Sequence, residues 1–251
     1  MLFNGIFQDS KYFCPCLYKY LLLFFNSMDA HDLAAYIDLT LLKPTASLQD
    51  IENIIQDALK YPFASVCIPP SYVSFAAKEM KGKRRIGTVI SFPFGYQTKA
   101  VKLYESQDAV ESGADEIDVV MNISAFKSGQ YELVRDEISS IIQANPDTTI
   151  KMIIETSYLT DEEKRTACKI AIEGRAHFIK TSTGFGSGGA TIGDVKLLSM
   201  AAEGRIKVKA SGGIKDLATT LAMIDAGASR IGTSSGIQII EEFLRRQGQG
   251  A

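Results

Sequence analysis

Two patterns of hydrophobic positions alternate along the chain from about residue 33 onward. Short apolar runs rich in β-branched residues predict strands, and they occur at residues 36–42, 64–68, 85–91, 116–121, 149–155, 177–182, 205–211 and 229–233. The segments between them repeat apolar residues at helical spacing, as Leu48, Ile51 and Ile55 do before the second strand. The pattern therefore predicts eight consecutive strand–helix units.

Eight such units joined by short connections predict a closed parallel (β/α)8 barrel, the TIM-barrel member of the α/β class. A doubly wound open sheet is the alternative, although such sheets usually stop at five or six strands. Ser47 and Thr160 predict helix starts, and Gly113 and Gly227 predict helix ends followed at once by a strand. A barrel places its active site at the carboxyl ends of the strands.

The first 27 residues differ from the rest. Their apolar run at 17–25 contains Lys19 and is too short to span a bilayer. We expect residues 1–27 to be an N-terminal extension or a mis-assigned start before Met28, without a role in catalysis; a targeting or membrane-associating segment is the alternative. Residues 28–251 are expected to form one barrel domain.

Composition narrows the possible chemistry. Lys and Arg total 27 against 29 Asp and Glu, so the net charge of −2 provides no basic field for nucleic acid. The two histidines, His31 and His177, are far apart, and the four cysteines form no C-x-x-C pair. We therefore expect no metal and no disulfide framework, and chemistry carried by lysine, carboxyl and hydroxyl groups.

Three charged residues lie inside otherwise apolar strands: Asp118, Lys180 and Lys209. Each alone could belong to a solvated strand face or a structural ion pair, but both faces of a barrel strand are covered. A lysine in a partly desolvated pocket beside a second ammonium loses its proton more easily and becomes a carbonyl nucleophile. Such a lysine can form a Schiff base that stabilises a carbanion, and Asp118 is available as proton carrier. The set predicts a metal-free aldolase or related lyase without a cofactor.

Glycine and hydroxyl residues follow the last two strands, in Ser-Gly-Gly at 211–213 and Gly-Thr-Ser-Ser-Gly at 232–236. Loops seven and eight commonly bind phosphate in this fold, although ordinary turn glycine is the alternative. Residues 184–189 also fit the G-x-G-x-x-G pattern, but they follow the sixth strand instead of the first. We interpret them as a loop near the substrate, not as a dinucleotide site.

Several ordered motifs resemble the deoxyribose-phosphate aldolases, the class I Schiff-base aldolases of deoxynucleoside breakdown. They are IDLTLLKP at 37–44, VCIPP at 66–70, GADEIDVVMN at 113–122, FIKTSTGF at 178–185, VKASGGI at 208–214 and GTSSG at 232–236. The resemblance implies reversible cleavage of 2-deoxy-D-ribose 5-phosphate to D-glyceraldehyde 3-phosphate and acetaldehyde.

The resemblance also implies roles for individual residues. Lys180 would form the Schiff base, Lys209 would be the second lysine, Asp118 would belong to the proton relay, and Asp38 would support the lysine network. Thr181 would line the site, and the 5-phosphate would be held by Gly184, Gly212, Gly213, Gly232, Ser234 and Ser235. Some family members have a lysine where this chain has Phe185. Phosphate binding would then depend on backbone amides, the two serines and Lys215, while Lys43 and Tyr96 could approach the barrel mouth.

The implied partners are a sugar phosphate and aldehydes, with no nucleic acid and no membrane. A homodimer or homotetramer in the cytoplasm is the expected setting. Two alternatives stay open: another Schiff-base barrel of the transaldolase or larger-sugar type, and a barrel that only binds a sugar phosphate.

Overall fold

A computed structural model describes residues 28–248, and the prediction for residues 1–27 lies outside them. Its eight strands are β1 (Ile37–Thr40), β2 (Ser65–Cys67), β3 (Ile86–Ile90), β4 (Glu116–Val120), β5 (Thr149–Ile153), β6 (Phe178–Lys180), β7 (Lys207–Ser211) and β8 (Arg230–Thr233). Each pairs in parallel with the next, and β8 pairs with β1 to close the barrel. The predicted TIM barrel is confirmed.

Helices alternate with these strands within the described residues. They are α1 (Ala30–Ala34), α2 (Leu48–Lys60), α3 (Val73–Met80), α4 (Lys99–Glu111), α5 (Ile123–Lys127), α6 (Tyr131–Ala144), α7 (Asp161–Glu173), α8 (Ile192–Ala202), α9 (Leu217–Asp225) and α10 (Gly236–Gly248). Two 3-10 turns, at Pro70–Tyr72 and Thr156–Tyr158, follow β2 and β5. In the part of the chain that the structure describes, no helix has the length and apolar character needed to cross a membrane.

The predicted helix boundaries are confirmed in their hydrogen bonding. Ser47 and Thr160 form capping boxes at the starts of α2 and α7, which satisfy amide groups that the helix leaves free. Gly113 and Gly227 follow the ends of α4 and α9 with φ of +108° and +106°, a conformation that favours glycine. These sharp ends bring each chain segment directly into the next strand.

Side chains alternate between the helix layer and the barrel interior along each strand. Ile37 and Leu39 on β1, like Ile117 and Val119 on β4, are buried in the hydrophobic core shared with the helices. The residues between them in sequence face the opposite way, and on β1 and β4 these are carboxylates. The apolar positions thus hold the barrel together, while the interior is left for charged groups.

Candidate active site

The strand register brings the predicted charged residues together inside the barrel. Asp118 on β4, Lys180 on β6 and Lys209 on β7 are each no more than 3% exposed, and Asp38 on β1 is fully buried. Lys180 and Lys209 are direct partners across the β6–β7 pair. All four predicted catalytic side chains therefore lie in one cluster.

Asp118 is the centre of this cluster. Its Oδ2 lies 2.8 Å from Lys180 Nζ and 2.6 Å from Lys209 Nζ. Its Oδ1 accepts a hydrogen bond of 2.8 Å from Lys151 on β5. One carboxylate therefore connects three ammonium groups from three consecutive strands.

Asp38 is connected to Lys180 indirectly, through Lys209 and Asp118. Its Oδ2 lies 2.5 Å from Lys209 Nζ, and its Oδ1 accepts hydrogen bonds from Arg230 at 2.5 Å and from Ser65 Oγ at 2.7 Å. The sequence predicted that Asp38 supports the lysine network. In the structure its closest contact within this network is with Lys209, which it holds in place.

Three members of the cluster were missed by the sequence analysis: Lys151, Glu116 and Arg230. Lys151 lies 2.6 Å from Glu116 Oε2, and Arg230 lies 3.2 Å from the same oxygen. Lys151 and Glu116 carry the signal used for Asp118, a charged residue within an apolar strand, and could have been found by it. Arg230 is the first residue of β8, where a charge is ordinary, so only its contacts reveal it.

The cluster shifts the ionisation of the two predicted lysines in opposite directions. Burial lowers the pKa of Lys180, and Lys209 lowers it further, although Asp118 opposes both. Burial acts the same way on Lys209, but the attraction of Asp118 and Asp38 outweighs it and raises the pKa. Burial would raise the pKa of Asp118, yet the three surrounding lysines hold it well below its usual value. Lys180 is therefore the lysine suited to lose its proton.

Charge balance leads to the same assignment. The cluster inside the barrel holds four cations and three carboxylates: Lys151, Lys180, Lys209 and Arg230 against Asp38, Glu116 and Asp118. Arg85 also approaches Glu116, at 3.7 Å, but its side chain is 64% exposed and therefore solvated. An uncompensated buried charge is costly. A neutral Lys180 leaves three charges of each sign.

A cavity of about 340 Å³ opens above Lys180 at the carboxyl ends of the strands. Among the predicted residues, those that line it are Lys180, Gly184, Gly212, Gly213, Gly232 and Ser234. Gly212 and Gly213 have φ of +87° and +79°, which fits a glycine-only turn. A Cβ at Gly232 would lie 3.1 Å from Lys209 Cε, so glycine there also leaves room for the lysine. The cluster contains three lysines and one arginine, and of these four residues only Lys180 lines the cavity.

Two of the residues predicted to bind the substrate, Thr181 and Ser235, do not line this cavity. Thr181 is fully buried, and its hydroxyl accepts a hydrogen bond from the Ser211 amide at 3.1 Å. It connects the end of β6 to β7 and does not line the cavity. Ser235 is half-buried and donates its backbone N–H to Thr233 Oγ1 at 2.9 Å. Ser234 is the exposed serine of this turn and lines the cavity.

The cavity wall has both cationic and aromatic parts. Lys43 and Phe185 line the cavity, whereas Tyr96 is 66% exposed and stacks on Phe94 away from it. Lys215 is exposed and does not line it.

Burial raises the pKa of the Cys67 thiol to about 11, with Asp118 adding to the effect, so this thiol is unreactive.

Comparison with known proteins agrees with this geometry. Residues 32–242 match the DeoC/LacD family aldolase. A deoxyribose-phosphate aldolase from Staphylococcus carnosus is 52% identical over 211 residues, covering 84% of this chain and 96% of the relative.

Solved structures are similar as well. The aldolase QR15 is 46% identical with a TM-score of 0.84, covering 87% of this chain and 98% of that one. A deoxyribose phosphate aldolase from Aeropyrum pernix, whose tetrameric structure is described as unique, is 32% identical with a TM-score of 0.82, covering 89% of this chain and 96% of that one. Together with the buried lysine pair beneath a strand-end cavity, these matches show that the chain is an enzyme, an aldolase of the DeoC/LacD family.

Proposed function

We propose that the protein cleaves 2-deoxy-D-ribose 5-phosphate reversibly to D-glyceraldehyde 3-phosphate and acetaldehyde, with Lys180 as the Schiff-base lysine. The observation that carries this proposal is the position of Lys180. Its side chain is 3% exposed, borders the cavity and contacts Asp118, with Lys209 bound to the same carboxylate oxygen. The name of the Staphylococcus carnosus relative supports the choice of substrate.

The first steps use the lowered pKa of Lys180. Its free amine adds to the C1 carbonyl of the open-chain sugar to give a carbinolamine. The carbinolamine hydroxyl takes up a proton and leaves as water, which forms the iminium ion. Lys209 remains an ammonium because its pKa is raised, so it can supply positive potential and hydrogen bonds to these oxygens.

Carbon–carbon cleavage then needs a proton acceptor at the C3 hydroxyl. Loss of that proton forms the C3 carbonyl, the C2–C3 bond breaks, and its electron pair enters the iminium to give an enamine. The D-glyceraldehyde 3-phosphate leaves, C2 takes up a proton, and hydrolysis releases acetaldehyde and restores Lys180. We assign the proton relay to Asp118, acting through water, with Asp38 keeping Lys209 in position.

The phosphate end of the substrate would lie against the glycine turns after β7 and β8. Gly212, Gly213 and Ser234 border the cavity there, and Gly236 begins α10, where helix amides favour an anion. Lys43 also lines the cavity and supplies a cation there. Phe185 gives no charge, so backbone groups carry more of the binding.

The wider setting is also part of the proposal. The tetrameric aldolase from Aeropyrum pernix supports a homo-oligomer. Cys67 and Cys168 are buried free thiols, which suits a reducing cytoplasm. We further propose that residues 28–251 act as one catalytic domain.

Trapping with acetaldehyde and borohydride tests the assignment. Reduction should fix a two-carbon adduct on Lys180, found by peptide mapping, and Lys180→Arg should abolish both the adduct and turnover. Lys169→Arg, a change at an exposed lysine, is the matched control and should trap as well as the unchanged protein. An adduct on another lysine would contradict the role of Lys180. Ligand-induced stabilisation without acetaldehyde release would instead indicate a protein that only binds the sugar phosphate.

A further inference from the structure

A buried acid outside the lysine cluster holds the loop after β6. Glu155 follows β5 directly, and its side chain is only 1% exposed. Its carboxyl group does not line the cavity, yet it contacts a loop that does. Nothing in the proposed chemistry uses this residue.

The hydrogen bonds of Glu155 all come from neutral donors. Its Oε2 accepts from the backbone N–H of Thr183 at 3.1 Å and from the Thr183 hydroxyl at 2.5 Å. Its Oε1 accepts from Ser157 Oγ at 3.4 Å. The Thr183 hydroxyl in turn accepts from the N–H of Phe185 at 3.0 Å. One carboxyl group thereby holds Thr183 directly and Phe185 through the Thr183 hydroxyl.

The backbone around this contact is constrained on both sides. Glu155 has φ of +51° and ψ of +73°, a left-handed conformation that is strained for a non-glycine residue. On the loop side, a Cβ at Gly186 would lie 2.9 Å from Glu155 Cδ and 3.0 Å from its Oε1. Only glycine lets the loop approach the carboxyl group this closely. Strain of this kind persists where the surrounding structure holds it, often at functional sites.

The loop held in this way forms one wall of the substrate cavity. Thr183, Gly184 and Phe185 line the cavity together with Lys180. The wall position therefore depends on Glu155, whereas the ionisation of Lys180 depends on Asp118 and Lys209.

We propose that Glu155 is a positioning residue that sets the affinity of the cavity for the sugar-phosphate substrate through the loop after β6. This inference rests on the proposed aldolase function. Loss of the carboxyl group would release the wall without altering the lysine cluster. KM for 2-deoxy-D-ribose 5-phosphate would then rise, while Schiff-base formation with acetaldehyde, which is too small to need that wall, would continue.

Steady-state kinetics and acetaldehyde trapping on the same variants test the proposal. Glu155→Ala should raise KM about tenfold or more, as expected for lost hydrogen bonds to a charged group. Trapping at Lys180 should stay within about twofold of the unchanged protein. Glu155→Gln keeps a carbonyl oxygen as acceptor for Thr183 and should restore most of the affinity.

Gly186→Ala provides an independent perturbation if Glu155→Ala does not fold. Its new methyl group would push the loop off the carboxyl group and should also raise KM. Gly193→Ala is the matched control, because a Cβ there meets nothing closer than 3.8 Å, and its KM should not change.

Three outcomes distinguish failure of the proposed role of Glu155 from failure of the proposed aldolase function. An unchanged KM in both Glu155→Ala and Gly186→Ala overturns the role of Glu155, and so does a parallel loss of trapping in both. Failure of the unchanged protein to form an adduct or cleave the sugar phosphate overturns the proposed function instead.

Discussion

Replacing Lys209 by methionine tests whether a second ammonium keeps Lys180 reactive. The two Nζ atoms lie 2.8 and 2.6 Å from Asp118 Oδ2, so their separation cannot exceed the sum of these distances, about 5.4 Å. At an effective dielectric constant of about 20, two like charges this far apart repel by roughly 3 kcal/mol. Removing that repulsion raises the pKa of Lys180. The free amine at neutral pH should therefore fall roughly 100-fold.

The assay is the rate of acetaldehyde trapping by cyanoborohydride as a function of pH. Trapping by Lys209→Met should be slow at neutral pH and recover as the pH rises, because the amine is then deprotonated by solvent. Lys209→Arg keeps the positive charge and should keep a profile close to that of the unchanged protein. Trapping needs the amine of Lys180 and formation of the iminium but not carbon–carbon cleavage. Recovery at high pH distinguishes loss of the free amine from loss of the hydrogen bonds that Lys209 gives during iminium formation, because only the first is reversed by raising the pH.

Stability must be measured alongside, because Lys209→Met removes one of the two cations that Asp38 and Asp118 share and leaves only Lys151 between them. Breaking a buried ion pair typically costs about 3–5 kcal/mol. The double variant Asp38→Asn/Lys209→Met removes one charge of each sign and should recover part of that loss. Superimposed pH profiles for Lys209→Met and the unchanged protein would refute the electrostatic account of Lys180.

Three further predictions concern other parts of the molecule. Gly227→Ala should lower the free energy of unfolding by about 1–3 kcal/mol more than Gly204→Ala in urea denaturation, because both have positive φ but only the first meets a neighbouring side chain. Lys102→Met should destabilise the protein by about 3–5 kcal/mol, since it leaves Glu137 buried without its cation, and adding Glu137→Leu should reverse most of that loss in the same measurement. Phe185→Lys should lower KM for the phosphorylated sugar relative to its non-phosphorylated form, because it places a cation on the cavity wall; equal KM changes for both sugars would contradict this.

Local sequence features accounted for most of the fold. Apolar, β-branched runs identified all eight strands, and Ser47, Thr160, Gly113 and Gly227 marked helix boundaries that the hydrogen bonds confirm. These signals act over a few residues, so they can be found without knowing the tertiary structure. The number of units then restricted the architecture to very few possibilities.

The site was only partly predictable. Asp118, Lys180 and Lys209 stood out because a charge inside an apolar strand needs a partner, and they do meet. Lys151 carried the same signal and was missed. Glu155 had no such signal, because it lies at a strand end, where an acid is ordinary.

The sequence by itself determined the order of strands and helices, and the residues whose charge is incompatible with an apolar strand. Closure of the barrel determined which of those charged side chains contact one another. Parallel register brought side chains of β4, β5, β6 and β7 together, so that a single carboxylate, Asp118, meets three lysines. Which lysine loses its proton depends on distances and burial: Lys209 lies between two carboxylates, whereas Lys180 contacts one and borders the cavity. Such contacts join residues as many as 192 positions apart in the sequence, as between Asp38 and Arg230, and only folding sets them.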